Sequence, residues 1–385
     1  MTDPLLHWRK EFPILAHTTY MISHSLGPMP LRTQAALAEY AEVWATRGIR
    51  AWEEGWWDMP VTCGNLIASI IGAPQGRVII HQNVSICQTI VTSCFDWNTQ
   101  RNKLVTDGLN FPSNDYIYYG LERQGAQIVT VPPDESGLTV STQRILDAID
   151  ERTQLVSISH VAFRSSALQD LQAITEKAHA VGAFIVADLY QSAGIVPLDV
   201  TALKLDFATG GSVKWLLGGP GAGYLYVRPD LDEVLKPVAT GWAAHAQPFQ
   251  FAAGPIVYAT DMMRYANGTP NVPAMYSARS GYEIVNEIGV PAIREKSVRQ
   301  TQRLIELADA AGLTIRSPRN PAERGGTIIV QVPDAQGREI VAELARRQIL
   351  VDFRPGAGIR LAPHLYTSDD ELSHTITNLA SIVQA

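Results

Sequence analysis

The sequence predicts an α/β protein, with a mostly parallel, doubly wound sheet in a large domain and a smaller α+β domain after it. Three observations carry this. From Val78 onward, short apolar runs alternate with helical stretches. The runs show little polar alternation, as strands covered on both faces do. After Pro270 the texture changes to one long helical stretch and then mixed strands and helices, the make-up of an α+β layer. At 385 residues the chain is long enough for two domains that share a large core.

Each element has its own warrant. Residues 1–30 contain FPILAHTTYMISHSLGPMP, an extended segment punctuated by glycine and prolines, and are expected to pack on the functional site. Helical periodicity runs from 31 to about 57, with Leu31, Ala35, Leu37, Tyr40, Val43 and Trp44 on one broad apolar face. A second helix is expected around 63–71. VIIHQ, KLVTD, QIVTV, QLVSIS, FIVAD and DFATG read as buried strands, with helices at 85–94, 113–123, 142–149 and 170–181 between them. Beyond these come a long helix over 274–311, TIIVQV, an amphipathic helix near 339–347, ILVDFR, IRLAP and a last helix from about Asp369. The expected organisation is an N-terminal segment at 1–30, a large domain at 31–265 and a small domain at 266–385, with the hinge in 253–273.

Composition narrows the function. Hydrophobic residues at 46% and charged ones at 18% describe an ordinary globular protein. A formal net charge of −7 argues against a generic nucleic-acid or anionic-membrane binder, so a small anionic substrate would need a local basic site. Cys63, Cys87 and Cys94 match no metal spacing and leave an odd thiol, which suggests a reducing compartment without disulfides. No apolar run approaches membrane-spanning length and the first thirty residues lack a signal-type apolar region, so the expected location is the cytoplasm.

The chemistry is expected between residues 184 and 223. FIVAD ends in Asp188, and DFATG runs into Gly210, Gly211, Ser212, Val213, Lys214 and a glycine-rich loop. Open α/β sheets bind ligands beyond the carboxyl ends of their strands, so an aspartate at one strand end and a lysine past the next can face one cofactor from two sides. Pyridoxal phosphate needs that pair, a lysine for the Schiff base and a carboxylate to keep the pyridine nitrogen protonated. Between Val213 and Trp215 the lysine is expected to be partly desolvated, which favours its free amine. QNVS at 82–85 enters a helix and supplies amides and a hydroxyl for a phosphate, with Val84 giving its backbone N–H and Ser85 its hydroxyl; Ser212 is a second candidate.

With D-x-x-Q at 188–191 and S-x-K at 212–214, the chain resembles the class V aminotransferase group of fold type I pyridoxal-phosphate enzymes, which includes cysteine desulfurases and kynureninases. SHSLGPMP at 23–30, NFPS at 110–113, GWAAH at 241–245 and GIRLAPHLY at 358–366 resemble the kynureninase branch. The resemblance implies that Lys214 carries the cofactor and shuttles a proton at Cα, that Asp188 is the pyridine partner, and that Gln191 meets the phenolate oxygen. It further implies that Phe111 stacks on the ring and that Arg360 holds the substrate α-carboxylate, for which a guanidinium fork is well shaped. Trp242 is placed with the cofactor, while His24, Ser25 and His245 are placed in the substrate pocket. Thr269 in NGTPNVP would reach the phosphate of a neighbouring subunit, which implies a homodimer with shared sites.

The reaction implied is hydrolysis of a Cβ–Cγ bond of an amino acid, L-kynurenine to anthranilate and alanine. Three positions depart from the kynureninase pattern: Val213 stands where a tyrosine precedes the lysine, Gln191 where histidine is usual, and Asn114 where an acidic residue is usual. A related class V lyase, epimerase or aminotransferase acting on another amino acid therefore stays open. Cysteine desulfurase is disfavoured because its sulfur-accepting cysteine follows the lysine, and every cysteine here precedes it.

Overall fold

The computed structural model describes residues 3–384. Two short 3-10 turns, Leu6–Glu11 and Pro13–Ala16, lead into β1 (Thr19–Tyr20) and then α1 (Leu31–Arg47). The helix stops ahead of the expected end because Gly48 takes φ +55°, and a 3-10 turn separates it from α2 (Met59–Ile71). There follow β2 (Val78–His81), α3 (Val84–Thr92), β3 (Lys103–Asp107), α4 (Pro112–Gly120), β4 (Gln127–Val131), α5 (Thr142–Ala148), β5 (Thr153–Ser159), α6 (Leu171–Ala180), β6 (Phe184–Asp188), β7 (Phe207–Gly211) and β8 (Gly223–Val227). These strands form one sheet in the order β2-β8-β7-β6-β5-β3-β4. All pairs from β4 to β7 are parallel, and β8 alone runs against its neighbours. The expected doubly wound sheet is present. β8, the GYLYV run behind the glycine-rich loop, is an addition to the strands expected.

Consecutive strand residues feed opposite cores, which is why the runs are apolar without alternation. On β3, Leu104 packs with Ile90, Tyr118 and Phe207 on one face, and Val105 with Ile67, Ile158 and Ile185 on the other. On β6, Val186 joins the first face while Ile185 and Ala187 join the second.

The long C-terminal helix is two helices, α7 (Val272–Ile288) and α8 (Val290–Ala310). Gly289 breaks it at φ +84°, and Pro291 in the first turn of α8 could not continue the ladder. Val272, Met275, Tyr282 and Ile293 share the core of the large layer, whereas the second core gathers Leu304, Ile328, Leu344, Ile359 and Leu379. The cores thus separate within α8, later than the boundary expected at 266. Beyond α8 lie β9 (Ile328–Val330), α9 (Gly337–Arg346), β10 (Ile349–Leu350), β11 (Asp352–Arg354), β12 (Gly358–Leu361) and α10 (Asp369–Val383), whose start is fixed by a Ser368/Glu371 capping box. The sheet order is β11-β12-β9, antiparallel throughout.

Residues 19–27 bridge the two layers. β1 pairs with β10, the Met21 amide donates to the Leu350 carbonyl at 3.0 Å, and Met21 is buried in the small core. A few residues later the Gly27 amide donates to the Val213 carbonyl at 2.5 Å, beside Lys214. A Cβ on Gly27 would lie 2.5 Å from the Lys214 carbonyl oxygen, so only glycine lets the segment approach the lysine loop this closely. Among the described residues no helix is long and apolar enough to cross a membrane.

Candidate active site

The carboxyl ends of β3, β5 and β6 bring Asp107, Ser159 and Asp188 to one edge of the sheet, with Ser159 and Thr209 flanking Asp188 in register. A cavity of about 200 Å³ opens there, lined by residues that include Val84, Ser85, Phe111, Asn114, Asp188 and Lys214. Four segments far apart in sequence thus meet, as expected for a site beyond strand ends.

Asp188 is buried at 5% exposure, and both its oxygens accept from neutral donors: Oδ1 from the Tyr190 amide at 2.8 Å and Oδ2 from Asn114 Nδ2 at 2.9 Å. Burial raises its pKa; the Tyr190 amide, the Lys214 charge and Asn114 pull the other way. Asn114 is itself tied to Asn110, whose Oδ1 also accepts from Ser159 Oγ at 2.8 Å. This network fixes the carboxylate's direction and leaves it without a cation of its own. A cationic nitrogen set against it would reverse the effect of burial.

Lys214 is partly buried, with Nζ 4.1 Å from the Tyr190 ring centroid and 5.6 Å from that of Phe111. Burial lowers its pKa from 10.5 to about 8; Asp188 opposes that, while the Arg360 and Arg354 charges add to it. A fraction of the amine is therefore unprotonated near neutral pH, as nucleophilic attack on a carbonyl requires. The glycines before it have a local reason. A Cβ on Gly211 would sit 2.4 Å from the Tyr190 ring, so glycine there lets that ring pack beneath the lysine.

At the far end of the cavity α3 starts. Asn83 caps it by accepting from the Ile86 amide at 3.1 Å, so Ser85 is not the cap, and Ser85 lines the cavity with Val84. Phe111 precedes α4, makes a T-shaped contact with Phe163 at 5.3 Å, and keeps 43% of its surface exposed, more than a core phenylalanine would.

Of the other expected residues in the single chain, Gln191 reaches the cavity lining and the rest lie outside it. Ser212 is fully buried behind the loop, donating to the Ala222 carbonyl at 2.5 Å and touching the Tyr282 hydroxyl, so its oxygen does not line the cavity. Gln191 does line it, but its amide spans two partners, donating to the His24 carbonyl at 3.0 Å and accepting from Trp215 Nε1 at 3.1 Å. His24 is buried with Nε2 2.9 Å from Asp352, and burial lowers its pKa to about 4. Ser25 follows it in a turn closed by its own amide on the Ile22 carbonyl. Arg360 is buried and paired with Asp352. His245 accepts from the Gln247 amide at 2.9 Å. Trp242 and Thr269 are exposed and stand outside the cavity lining of the single chain.

The residues present fit pyridoxal phosphate. A buried carboxylate with no cation of its own suits the ring nitrogen, the start of α3 suits a phosphate, a basic amine lies near the carboxylate, and Phe111 offers a ring face. Asn114 Oδ1, buried beside Asp188 without a partner, is a further acceptor at that end.

The description "Aminotransferase class-V" matches residues 30–363. The chain belongs to the class V aminotransferase family. This class V chain is 31% identical to a kynureninase of Pseudomonas fluorescens over 99% of its own length and 93% of the relative's. It is 28% identical to a protein of Bacillus subtilis described as an uncharacterized aminotransferase, over 97% of each. The apo cysteine desulfurase of Thermococcus onnurineus shares the fold of the class V chain, with a TM-score of 0.87 at 20% identity, 100% of this chain and 99% of that one being covered.

Sequence reasoning passed over the Asn83 cap, Asn110, Phe163 and Asp352. Asn83 had a signal, an asparagine directly before the helix that QNVS announces. Asn110 was in view only as the first residue of NFPS and Phe163 had no signal, since both matter through the neighbours that folding gives them.

Proposed function

We propose that this class V enzyme uses pyridoxal phosphate to act on an α-amino acid, and that its reaction is kynureninase-like hydrolysis of a Cβ–Cγ bond, L-kynurenine giving anthranilate and alanine. The observation that carries the reading is that Lys214 and Asp188 face one cavity with the start of α3 at its other end. Kynureninase-named relatives of similar length at 31% identity support the choice of reaction.

Bound there, pyridoxal phosphate supplies an electron sink for the bond broken at the amino acid. The chain's residues do the rest. Val84 and Ser85 hold the phosphate. Phe111 covers one ring face, and Asp188 keeps a proton on the ring nitrogen. Lys214, poised near pH 8, takes and returns the proton at Cα. Arg360 binds the α-carboxylate. Tyr190, whose ring packs against Lys214 and lines the cavity, supplies a hydroxyl where Val213 has none.

The site is completed in a homodimer, with Trp242 and Thr269 reaching the neighbouring cavity. Trp242, Phe249 and Phe251 stack together yet stay exposed at 41%, 59% and 75%, an apolar patch of the sort that marks an interface.

The experiment is turnover of L-kynurenine by the purified holoenzyme, following anthranilate. Release of anthranilate is the expected result. Exchange of the kynurenine Cα proton with solvent deuterium, without anthranilate, would leave a pyridoxal-phosphate enzyme of another reaction. The apolar Val213 beside the lysine favours that second reading, a class V lyase, epimerase or aminotransferase on a different amino acid.

A further inference from the structure

Arg360 lies in the middle strand of the small sheet, opposite Asp352 in the β11–β12 register. Its guanidinium is held from two sides. Nε donates to Asp352 Oδ1 at 2.7 Å and Nη2 to Oδ2 at 2.5 Å, while Nη1 donates to the Phe163 carbonyl at 2.7 Å. Asp352 is also met by His24 Nε2 at 2.9 Å and Arg354 Nη2 at 3.1 Å. A carboxylate paired with Arg360 resembles a plug in the substrate's place. The atoms say otherwise. A guanidinium carries five N–H groups. Asp352 takes the side edge and Phe163 one proton of Nη1, which leaves one N–H on Nη1 and one on Nη2 without a protein partner, donors that a second carboxylate can use.

We propose that Asp352 is a positioning residue: it clamps the side edge of Arg360 so that the two remaining N–H groups are held ready for the substrate's α-carboxylate, with His24 bracing the clamp from the N-terminal segment. This rests on the reading of Arg360 as the carboxylate partner. Arg360 is not itself among the residues lining the cavity, but two facts set its fork next to the cavity wall. Phe163, which takes Nη1, lines it, and the Arg360 charge is felt by Lys214. The clamp also explains why a cation buried at 2% exposure is tolerated, since Asp352 neutralises it in the absence of ligand. Through His24 the same carboxylate reaches a segment that touches the lysine loop at Gly27, so one residue connects the small sheet, the N-terminal segment and the large domain.

The test uses the holoenzyme and its Asp352→Asn, Asp352→Glu, His24→Ala and Arg360→Ala variants. Each is titrated with L-alanine and with ethylamine, the same amine without its carboxylate, following the cofactor absorbance, and KM and kcat are taken with the amino-acid substrate. Asp352→Asn is expected to weaken L-alanine by about tenfold or more, as a misdirected binding group does, and to raise KM more than it lowers kcat, with ethylamine unaffected. Asp352→Glu, which restores the charge, should recover part of the loss; His24→Ala should shift affinity the same way by less. Unchanged or tighter L-alanine binding in Asp352→Asn, with affinity lost in Arg360→Ala, would overturn the proposal and make Asp352 a competitor or a packing group. Unchanged binding in Arg360→Ala itself would remove Arg360 as the carboxylate partner, and the proposal with it.

Discussion

Burial acts in opposite directions on the two groups that face each other in the cavity, raising the pKa of the Asp188 carboxyl and lowering that of the Lys214 ammonium to about 8. The lysine's shift has a consequence for stability that activity does not enter. An unfolded lysine holds its proton up to its ordinary 10.5, the folded one only to about 8, so between these values the unfolded state binds more protons and stability rises with pH. Below about 8 both forms are charged and burial of the charge costs its full amount; above 10.5 neither is. Melting of the cofactor-free protein should therefore show a rise across that window which Lys214→Met lacks. Parallel curves for the two proteins would mean that the amine is solvated. For Asp188, replacement by asparagine removes the charge and keeps one of the two accepted hydrogen bonds; its NH2 group meets the other site, where Asn114 has to turn its own amide so that its oxygen accepts. Asp188→Asn should retain cofactor and lose turnover by on the order of 10²-fold or more. Near wild-type turnover would reduce Asp188 to a turn residue. Both groups were legible in the sequence because strand-end aspartate and post-strand lysine are local patterns. Asp352 was not, because its meaning lies in a cross-strand pairing with Arg360, and a register between strands leaves no mark in either one alone.

At the scale of elements, the strands were readable because a parallel sheet buried on both faces must be apolar in every position, and the sequence shows that directly. β8 escaped since it follows a loop dense in glycine, where turn signals dominate, and the break at Gly289 was hidden by strong helical periodicity on either side. The elements that aim the site are α3 and the β7–Lys214 turn. Removing the cap of α3 by Asn83→Ala should cost about 1 kcal/mol in denaturant unfolding. The turn depends on a close approach instead. Gly211→Ala places a methyl 2.4 Å from the Tyr190 ring, and the ring is fixed beneath Lys214, so the clash must move one of the two. Gly211→Ala should remain folded by circular dichroism but lose the absorbance of lysine-bound cofactor, or bind it far more weakly. A variant with wild-type absorbance would show that Tyr190 can yield without disturbing the lysine.

The whole molecule has a site built by one chain at the carboxyl edge of its sheet, and a separate exposed apolar patch around Trp242, Phe249 and Phe251, with Thr269 on the surface outside the cavity. In the proposed two-fold dimer this patch is buried and the residues of one copy reach the cavity of the other. Isologous contacts of this kind make a sharp prediction. Lys214→Ala fails because the amine is gone, and a Trp242→Ala, Thr269→Ala double variant should fail because the neighbour's cavity is unfinished, yet the lesions fall on opposite sides of each shared site. Unfolded together and refolded as a mixture, the two inactive proteins should form heterodimers in which one cavity carries both lesions and the other carries none. Random pairing of equal amounts makes half the dimers mixed, each with one intact site, so about a quarter of the wild-type activity should return. Mixing folded proteins without exchange of subunits should return nothing, which separates reassembly from contamination. Recovery absent after refolding, with light scattering showing dimers, would mean that Trp242 and Thr269 serve their own chain's cavity or none, and that the shared-site reading is wrong although the dimer is right.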